Sequence, residues 1–137
     1  MNSFAPVLAP LSSQDEPSRP RVLLVEDNDD VRGLICELLS EEGLAVVACD
    51  GAETAEKEFN KGAFDLVLTD ISLPSMSGTD LARRLLERRA DQWVVFCSGY
   101  VMEIDPKTWG PRVRALLKPF EVDELRALLQ EVRGEAP

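Results

Sequence analysis

The sequence predicts a three-layer α/β sandwich, with helices on both faces of a mainly parallel, five-stranded sheet. From residue 21 onward, short aliphatic runs alternate with segments of helical period, which is the pattern of repeated βα units. The chain has 137 residues, 45% of them hydrophobic and 29% charged, and this composition suits one folded domain. Parallel neighbours in a sheet require crossover connections, and the helical segments supply them.

The first strand and the first helix have the clearest patterns. Val22–Val25 is continuously apolar, which is typical of a strand that is buried on both faces. The helix that follows has one apolar stripe, formed by Val31, Leu34, Ile35, Leu38 and Leu39. Asn28 or Asp29 is placed to cap the N-terminus of this helix, and Gly43 is placed to end it.

The same unit recurs along the chain. Further strands are predicted over Leu44–Cys49, Phe64–Thr69, Trp93–Cys97 and Val113–Leu117, and further helices over Ala52–Lys61, Thr79–Arg89 and Val122–Val132. In the crossover between the fourth and fifth strands, Asp105 is placed to cap a helix that begins at Pro106. Gly110 and Pro111 would end that helix after one turn, so the fourth helix is predicted to be short or irregular.

Composition places the folded domain at residues 21–133. Residues 1–20 hold four of the nine prolines and a Ser-Ser-Gln-Asp-Glu stretch, which predicts a flexible, Pro-rich tail. Residues 134–137 are expected to form a short C-terminal tail. The sequence has neither an apolar run long enough to span a membrane nor a basic signal-peptide start, so we expect a cytoplasmic protein.

Charge and residue types exclude several functions. The chain has 15 Lys and Arg against 25 Asp and Glu, and its net charge of -10 opposes direct binding to nucleic acid or to an anionic membrane. The absence of histidine excludes His-based acid–base chemistry and most transition-metal sites. Cys36, Cys49 and Cys97 are far apart within apolar patterns, which indicates buried, reduced thiols and not a zinc site.

Reactive polar residues follow four of the five predicted strands. Glu26 and Asp27 follow the first strand, Asp70 follows the third, Ser98 the fourth and Lys118 the fifth. Ligands of open parallel sheets bind beyond the carboxyl ends of the strands, so these residues are predicted to meet at one edge. Asp50 follows the second strand and is predicted to cap the next helix instead.

Three carboxylates at one edge require positive charge nearby. Two carboxylates about 4 Å apart repel each other by roughly 4 kcal/mol at an effective dielectric of 20. Lys118 supplies one positive charge, and a divalent cation would supply two more; oxygen ligands favour Mg²⁺, with Mn²⁺ as the second choice. A carboxylate beside a metal, a lysine and a hydroxyl is well arranged to accept a phosphoryl group, which predicts Asp70 as the nucleophile.

Four segments carry a family resemblance: Val22–Asn28, Leu66–Gly78, Val94–Tyr100 and Leu117–Phe120. In this order and at these spacings, they resemble the receiver domain of two-component response regulators in its chemotaxis-type, single-domain form. The resemblance implies a flavodoxin-like (βα)5 fold with strand order 2-1-3-4-5. It also implies a signalling protein that catalyses only its own phosphorylation and dephosphorylation, and whose output passes through another, unidentified protein.

The resemblance assigns roles to the acidic residues. It implies that a phosphohistidine on a sensor histidine kinase or a histidine phosphotransfer protein donates its phosphoryl group to Asp70. It further implies that Asp27 and Asp70 bind Mg²⁺ directly, that Ser72 contributes its backbone carbonyl, and that Glu26 acts mainly through water. Gly78 resembles the glycine that shapes the loop after the acceptor.

The resemblance also implies a switch, with one departure from the family pattern. Lys118 would pair with the phosphoryl oxygens, and Ser98 would move to hydrogen-bond them. Many receiver domains carry an aromatic residue three positions before the lysine, and here that position is Ala115. Tyr100 is a candidate substitute, and we expect phosphorylation to reorder the loop Gly99–Pro111.

Two alternative functions remain open from the sequence. The first is a pseudo-receiver that binds a partner without being phosphorylated. The second is an aspartate-nucleophile phosphatase, whose motif places a second aspartate two residues after the nucleophile, where this chain has Ser72. The missing general acid makes the phosphatase the weaker of the two.

Overall fold

Five parallel strands and four α-helices alternate in the computed structural model, which describes residues 19–103 and 105–134. The elements are β1 (Arg21–Val25), α1 (Asp29–Glu41), β2 (Ala45–Cys49), α2 (Ala52–Lys61), β3 (Leu66–Asp70), α3 (Gly78–Arg88), β4 (Val94–Ser98), a 3₁₀ helix (Pro106–Trp109), β5 (Val113–Leu117) and α4 (Val122–Val132). The predicted tails, 1–20 and 134–137, lie almost wholly outside the described residues. No helix in the described part of the chain combines the length and apolarity that crossing a membrane requires.

The sheet has the strand order β2-β1-β3-β4-β5, and every neighbouring pair is parallel. The predicted fold class and strand order are therefore confirmed. Because all strands run the same way, their carboxyl ends lie at one edge of the sheet. The order reverses between β1 and β3, and such a reversal opens a crevice at that edge.

The core lies in two layers, one on each face of the sheet. Leu23 and Val25 of β1 pack toward α2 and α3, while Val22 and Leu24 pack toward α1 and α4. All four side chains are at most 1% exposed. This alternation explains why the strand is apolar at every position, and its burial fixes the register that places the next residue, Glu26, at the strand's end.

The structure corrects three predictions from the sequence. The N-cap of α2 is Gly51, without a side-chain capping bond, so Asp50 does not cap this helix. Cys36 is only half-buried, whereas Cys49 and Cys97 are buried as predicted. Strands β3 and β4 each begin later than predicted and end one residue later, so that Asp70 and Ser98 are the last residues of their strands.

The fourth crossover is a single 3₁₀ helix, which confirms the predicted short element. The Lys107 backbone N–H donates to Oδ1 of Asp105, 3.0 Å away, and Pro106 is the first residue of the helix. The Trp109 ring packs edge-on against Phe96 with their centroids 5.1 Å apart. One aromatic contact thus anchors a crossover that is too short to cover the sheet as the other helices do.

Gly78 lets helix α3 begin directly against the end of β3. Its N–H donates to the carbonyl oxygen of Ile71 at 2.7 Å, and a Cβ at position 78 would overlap the carbonyl oxygen of Asp70. The backbone of Asp70 therefore lies where only a glycine fits.

We expect Gly78→Ala to lower the free energy of unfolding by about 1–3 kcal/mol, because the added methyl group must displace the Asp70 backbone. Urea denaturation measures this change. Gly33→Ala is the matched control, since Gly33 is a helical glycine with nothing near its Cβ position; it should raise the stability by up to about 1 kcal/mol. A Gly78→Ala protein as stable as the wild type would contradict this account of the close approach.

Candidate functional site

Three carboxylates meet at the carboxyl edge of the sheet. Glu26 and Asp27 directly follow β1, and Asp70 ends the neighbouring strand β3. One oxygen from each residue lies within 4.8 Å of the others, with Glu26 buried, Asp70 half-buried and Asp27 exposed. The pairing of β1 with β3 brings these residues together although they are more than 40 positions apart in the sequence.

Lys118 lies against two of these acids. Its Nζ donates to Oε1 of Glu26 at 3.1 Å and is 3.5 Å from Oδ1 of Asp70. Its backbone N–H donates to the carbonyl oxygen of Ser98 at 2.6 Å, which ties the end of β5 to the end of β4. The structure therefore brings Glu26, Asp27, Asp70 and Lys118 into one cluster.

The charge of Lys118 is stabilised by these neighbours. Burial opposes the charge, but the hydrogen bond to Glu26 and the charge of Asp70 outweigh it and raise the pKa of Lys118 above its ordinary value of 10.5. A pKa raised by folding contributes stability that is present in full below the unfolded pKa and is lost as the pH rises through the folded value. Lys118 is therefore a cation throughout the neutral range.

Glu26 is held at three of its atoms. Oε1 accepts from Lys118, and Oε2 accepts from the backbone N–H of Asn28 at 3.2 Å. The Glu26 carbonyl oxygen accepts from Nη1 of Arg32 at 2.9 Å. Both carboxylate oxygens of Glu26 therefore accept hydrogen bonds from the protein.

The contact between Arg32 and the Glu26 carbonyl oxygen was not predicted from the sequence. Arg32 also donates from Nη2 to Oδ1 of Asp29 at 2.6 Å, and this hydrogen bond raises the pKa of Arg32, with the charge of Asp50 acting in the same direction. The spacing does predict the contact with Asp29, because residues three apart lie on the same face of a helix. Nothing in the sequence indicated the contact between Arg32 and the Glu26 carbonyl oxygen.

The Ser98 hydroxyl is hydrogen-bonded to the backbone of Tyr100 and, among the described residues, makes no hydrogen bond to the acids. The Ser98 hydroxyl donates to the carbonyl oxygen of Tyr100 at 2.6 Å and accepts from its N–H at 3.1 Å. The Tyr100 side chain is 60% exposed, above a cavity of about 210 Å³ that is also lined by Ala115. Ser72 lies in the loop after β3, and its assignment as a metal ligand stays a prediction.

The donor set of the cluster fits a hard divalent cation. Its available atoms are carboxylate oxygens, which Mg²⁺ and Mn²⁺ prefer. Burial raises the pKa of Cys97 to about 12 and that of Cys49 to about 11, so neither provides a thiolate. With one lysine against three acids, the cluster is left with an excess of negative charge that such a cation would neutralise.

Comparison with known proteins gives one family. The sequence model of the response regulator receiver domain family matches residues 22–130. The response regulator receiver protein CpdR of Brucella abortus is 35% identical over 114 residues, which are 82% of this chain and 92% of CpdR. The sensor histidine kinase TmoS of Ectopseudomonas mendocina is 36% identical over 118 residues, which are 83% of this chain but only 12% of TmoS. The chain thus spans nearly all of one relative and a small part of the other.

Solved structures agree with the family match. The response regulator TrrA of Thermotoga maritima, in complex with Mg²⁺-BeF, superposes with a TM-score of 0.75 at 28% identity, covering 82% of this chain and 98% of TrrA. The chemotaxis response regulator CheY4 of Vibrio cholerae has the same fold, with a TM-score of 0.75 at 22% identity, covering 84% of this chain and 99% of CheY4. The fold, the acidic edge and the family match together show that this chain belongs to the response regulator receiver domain family.

Proposed function

We propose that this chain accepts a phosphoryl group on Asp70 from a phosphohistidine of a partner protein, and so controls the binding of a downstream protein. The observation that carries the proposal is the position of Asp70, half-buried at the strand end with Lys118 3.5 Å away and two further carboxylates beside it. The match of the chain to a segment of the sensor histidine kinase TmoS supports a histidine kinase or a histidine phosphotransfer protein as the donor.

The residues at this edge would hold Mg²⁺, with Mn²⁺ as a substitute. Asp27 and Asp70 would bind the ion through their carboxylates and Ser72 through its backbone carbonyl, while Glu26 would act through water. When bound, the ion supplies positive charge to phosphoryl oxygens. The Mg²⁺-BeF complex of the similar protein TrrA supports Mg²⁺ as the ion.

The chain's own residues would act on the phosphoryl group in three ways. A carboxylate oxygen of Asp70 attacks phosphorus, and the P–N bond breaks with its electron pair remaining on the partner's histidine nitrogen. Lys118 is close enough to Asp70 to pair with the oxygens of the arriving group. Ser98 would give up its hydrogen bonds to the Tyr100 backbone and donate a hydrogen bond from its hydroxyl to a phosphoryl oxygen.

The structure supports the two alternative functions less well. The position two residues after Asp70 is Ser72, whose exposed side chain lacks the acidic proton that a phosphatase of this type uses on its leaving group. A pseudo-receiver would have no need of three acids held in mutual repulsion, and the phosphorylation experiment below separates it from an active receiver.

The first test is phosphorylation of the acceptor. On incubation with Mg²⁺ and acetyl phosphate, we expect intact-mass spectrometry to show one added phosphoryl group on the wild type and none on Asp70→Asn. Asp50→Asn is the matched control, because Asp50 is an exposed acid that follows β2 at the same edge but lies outside the cluster; it should still be phosphorylated. A modified Asp70→Asn protein would contradict the assignment of the acceptor, and an unmodified wild type would favour the pseudo-receiver.

The second test concerns the switch. If Ser98 leaves Tyr100, the loop Gly99–Pro111 loses two hydrogen bonds, each worth about 1 kcal/mol. We expect amide exchange in this loop to become about fivefold faster or more when beryllofluoride and Mg²⁺ are added. Ser98→Ala is the control, since its loop should not respond to the addition. Unchanged exchange in the wild-type loop, with the mimic shown to be bound, would contradict the proposed switch.

A further inference from the structure

We propose that Arg32 is a positioning residue, which orients Asp27 for the divalent cation by fixing the carbonyl group of Glu26. The inference rests on the proposed function and deepens it, because it names a residue outside the acidic cluster that determines how well the cluster binds the ion.

The guanidinium of Arg32 links helix α1 to the loop that carries the acids. Nη1 donates to the Glu26 carbonyl oxygen at 2.9 Å, and Nη2 donates to Asp29 Oδ1 at 2.6 Å. The two contacts use the forked geometry of the guanidinium, which a lysine lacks. The Arg32 side chain is 23% exposed and its bond to the Glu26 carbonyl oxygen is partly buried, whereas the Asp29 side chain is exposed.

Asp27 depends on its backbone for its position. Within residues 19–103 and 105–134, its carboxylate has no hydrogen-bond or ion-pair partner, and it is exposed. The peptide group that joins Glu26 to Asp27 is the one whose oxygen Arg32 holds. The peptide group on the other side of Asp27 is held as well, because the Asn28 N–H donates to the Glu26 carboxylate. The two held peptide groups therefore set the direction in which the Asp27 side chain leaves the backbone.

A second arginine, Arg83, shows that an ion pair near a helix start does not by itself bring a bond to a strand-end carbonyl. Arg83 makes the same kind of ion pair near the start of α3, with Nη1 2.9 Å from Oδ1 of Asp80 three residues earlier. Its side chain is 64% exposed, and Asp80 is its hydrogen-bond partner among the described residues. In the described part of the chain, Arg83 therefore makes the same kind of ion pair as Arg32 but no bond to the backbone that carries the acids.

The sign of the effect separates positioning from simple electrostatics. Arg32 is a cation close to a cation-binding cluster, so if only its charge mattered, removing it would tighten Mg²⁺ binding. If Arg32 orients Asp27, removing it loosens a ligand and weakens binding. Arg32→Lys keeps the charge but loses the fork, and it should therefore also weaken binding.

The experiment is calorimetric titration of the full chain with Mg²⁺. We expect Arg32→Ala to raise the dissociation constant about tenfold, as loss of a residue that supports a metal ligand does. Arg32→Lys should give a smaller increase, and Arg83→Ala should leave the constant within twofold of the wild type. Tighter or unchanged binding by Arg32→Ala would overturn the proposal, as would an equal weakening by Arg83→Ala.

A kinetic readout distinguishes positioning from a general loss of structure. With acetyl phosphate as donor, Arg32→Ala should require about tenfold more Mg²⁺ for half-maximal phosphorylation but reach nearly the wild-type rate at saturating Mg²⁺. A lower melting temperature with an unchanged Mg²⁺ dependence would reduce Arg32 to a structural residue and overturn the proposal. A wild type that binds no Mg²⁺ would instead overturn the proposed function.

Discussion

Repulsion among three carboxylates at one sheet edge, only partly offset by one lysine, is the interaction on which the rest of the site depends. Glu26, Asp27 and Asp70 each present an oxygen within 4.8 Å of the others, and at that separation each pair repels by about 3 kcal/mol at an effective dielectric of 20. Lys118 pairs with Glu26 most closely and with Asp70 at a longer distance. Lys118 therefore offsets part of the repulsion, and the negative charge that remains attracts a further cation or an electrophilic phosphorus.

The apolar strands make this arrangement possible. Strand β1 is buried on both faces along its four aliphatic residues, so the chain reaches Glu26 in a fixed register and the polar residues begin where the strand ends. Gly78 allows α3 to start against the Asp70 backbone, and the cluster is thereby built on rigid elements on the β3 side. On the β1 side the support comes from side chains, through Arg32, Asn28 and Lys118.

The sequence predicted the alternating α/β fold and the acidic cluster because both follow from local patterns, whereas the strand order came from the family resemblance. Continuous apolar strands, helical stripes and polar residues at strand ends are enough to place Glu26, Asp27, Asp70 and Lys118 at one edge of a parallel sheet. The direction of a side chain is set by tertiary packing, which explains the errors and omissions. Asp50 was predicted to cap α2, but the N-cap is Gly51. The Ser98 hydroxyl was predicted to lie with the acids, but it donates a hydrogen bond to the Tyr100 carbonyl oxygen.

The melting temperature of Asp70→Asn without metal tests the central claim most directly. Neutralising Asp70 removes its repulsion from two acids and leaves Lys118 paired with Glu26, so with a chelator present we predict a melting temperature equal to that of the wild type or up to about 5 °C higher. The wild type should gain more than the variant when Mg²⁺ is added. A melting temperature more than about 5 °C below the wild type in the absence of metal would show that Asp70 is a stabilising partner of Lys118, and would contradict the claim that its carboxylate is held under repulsion.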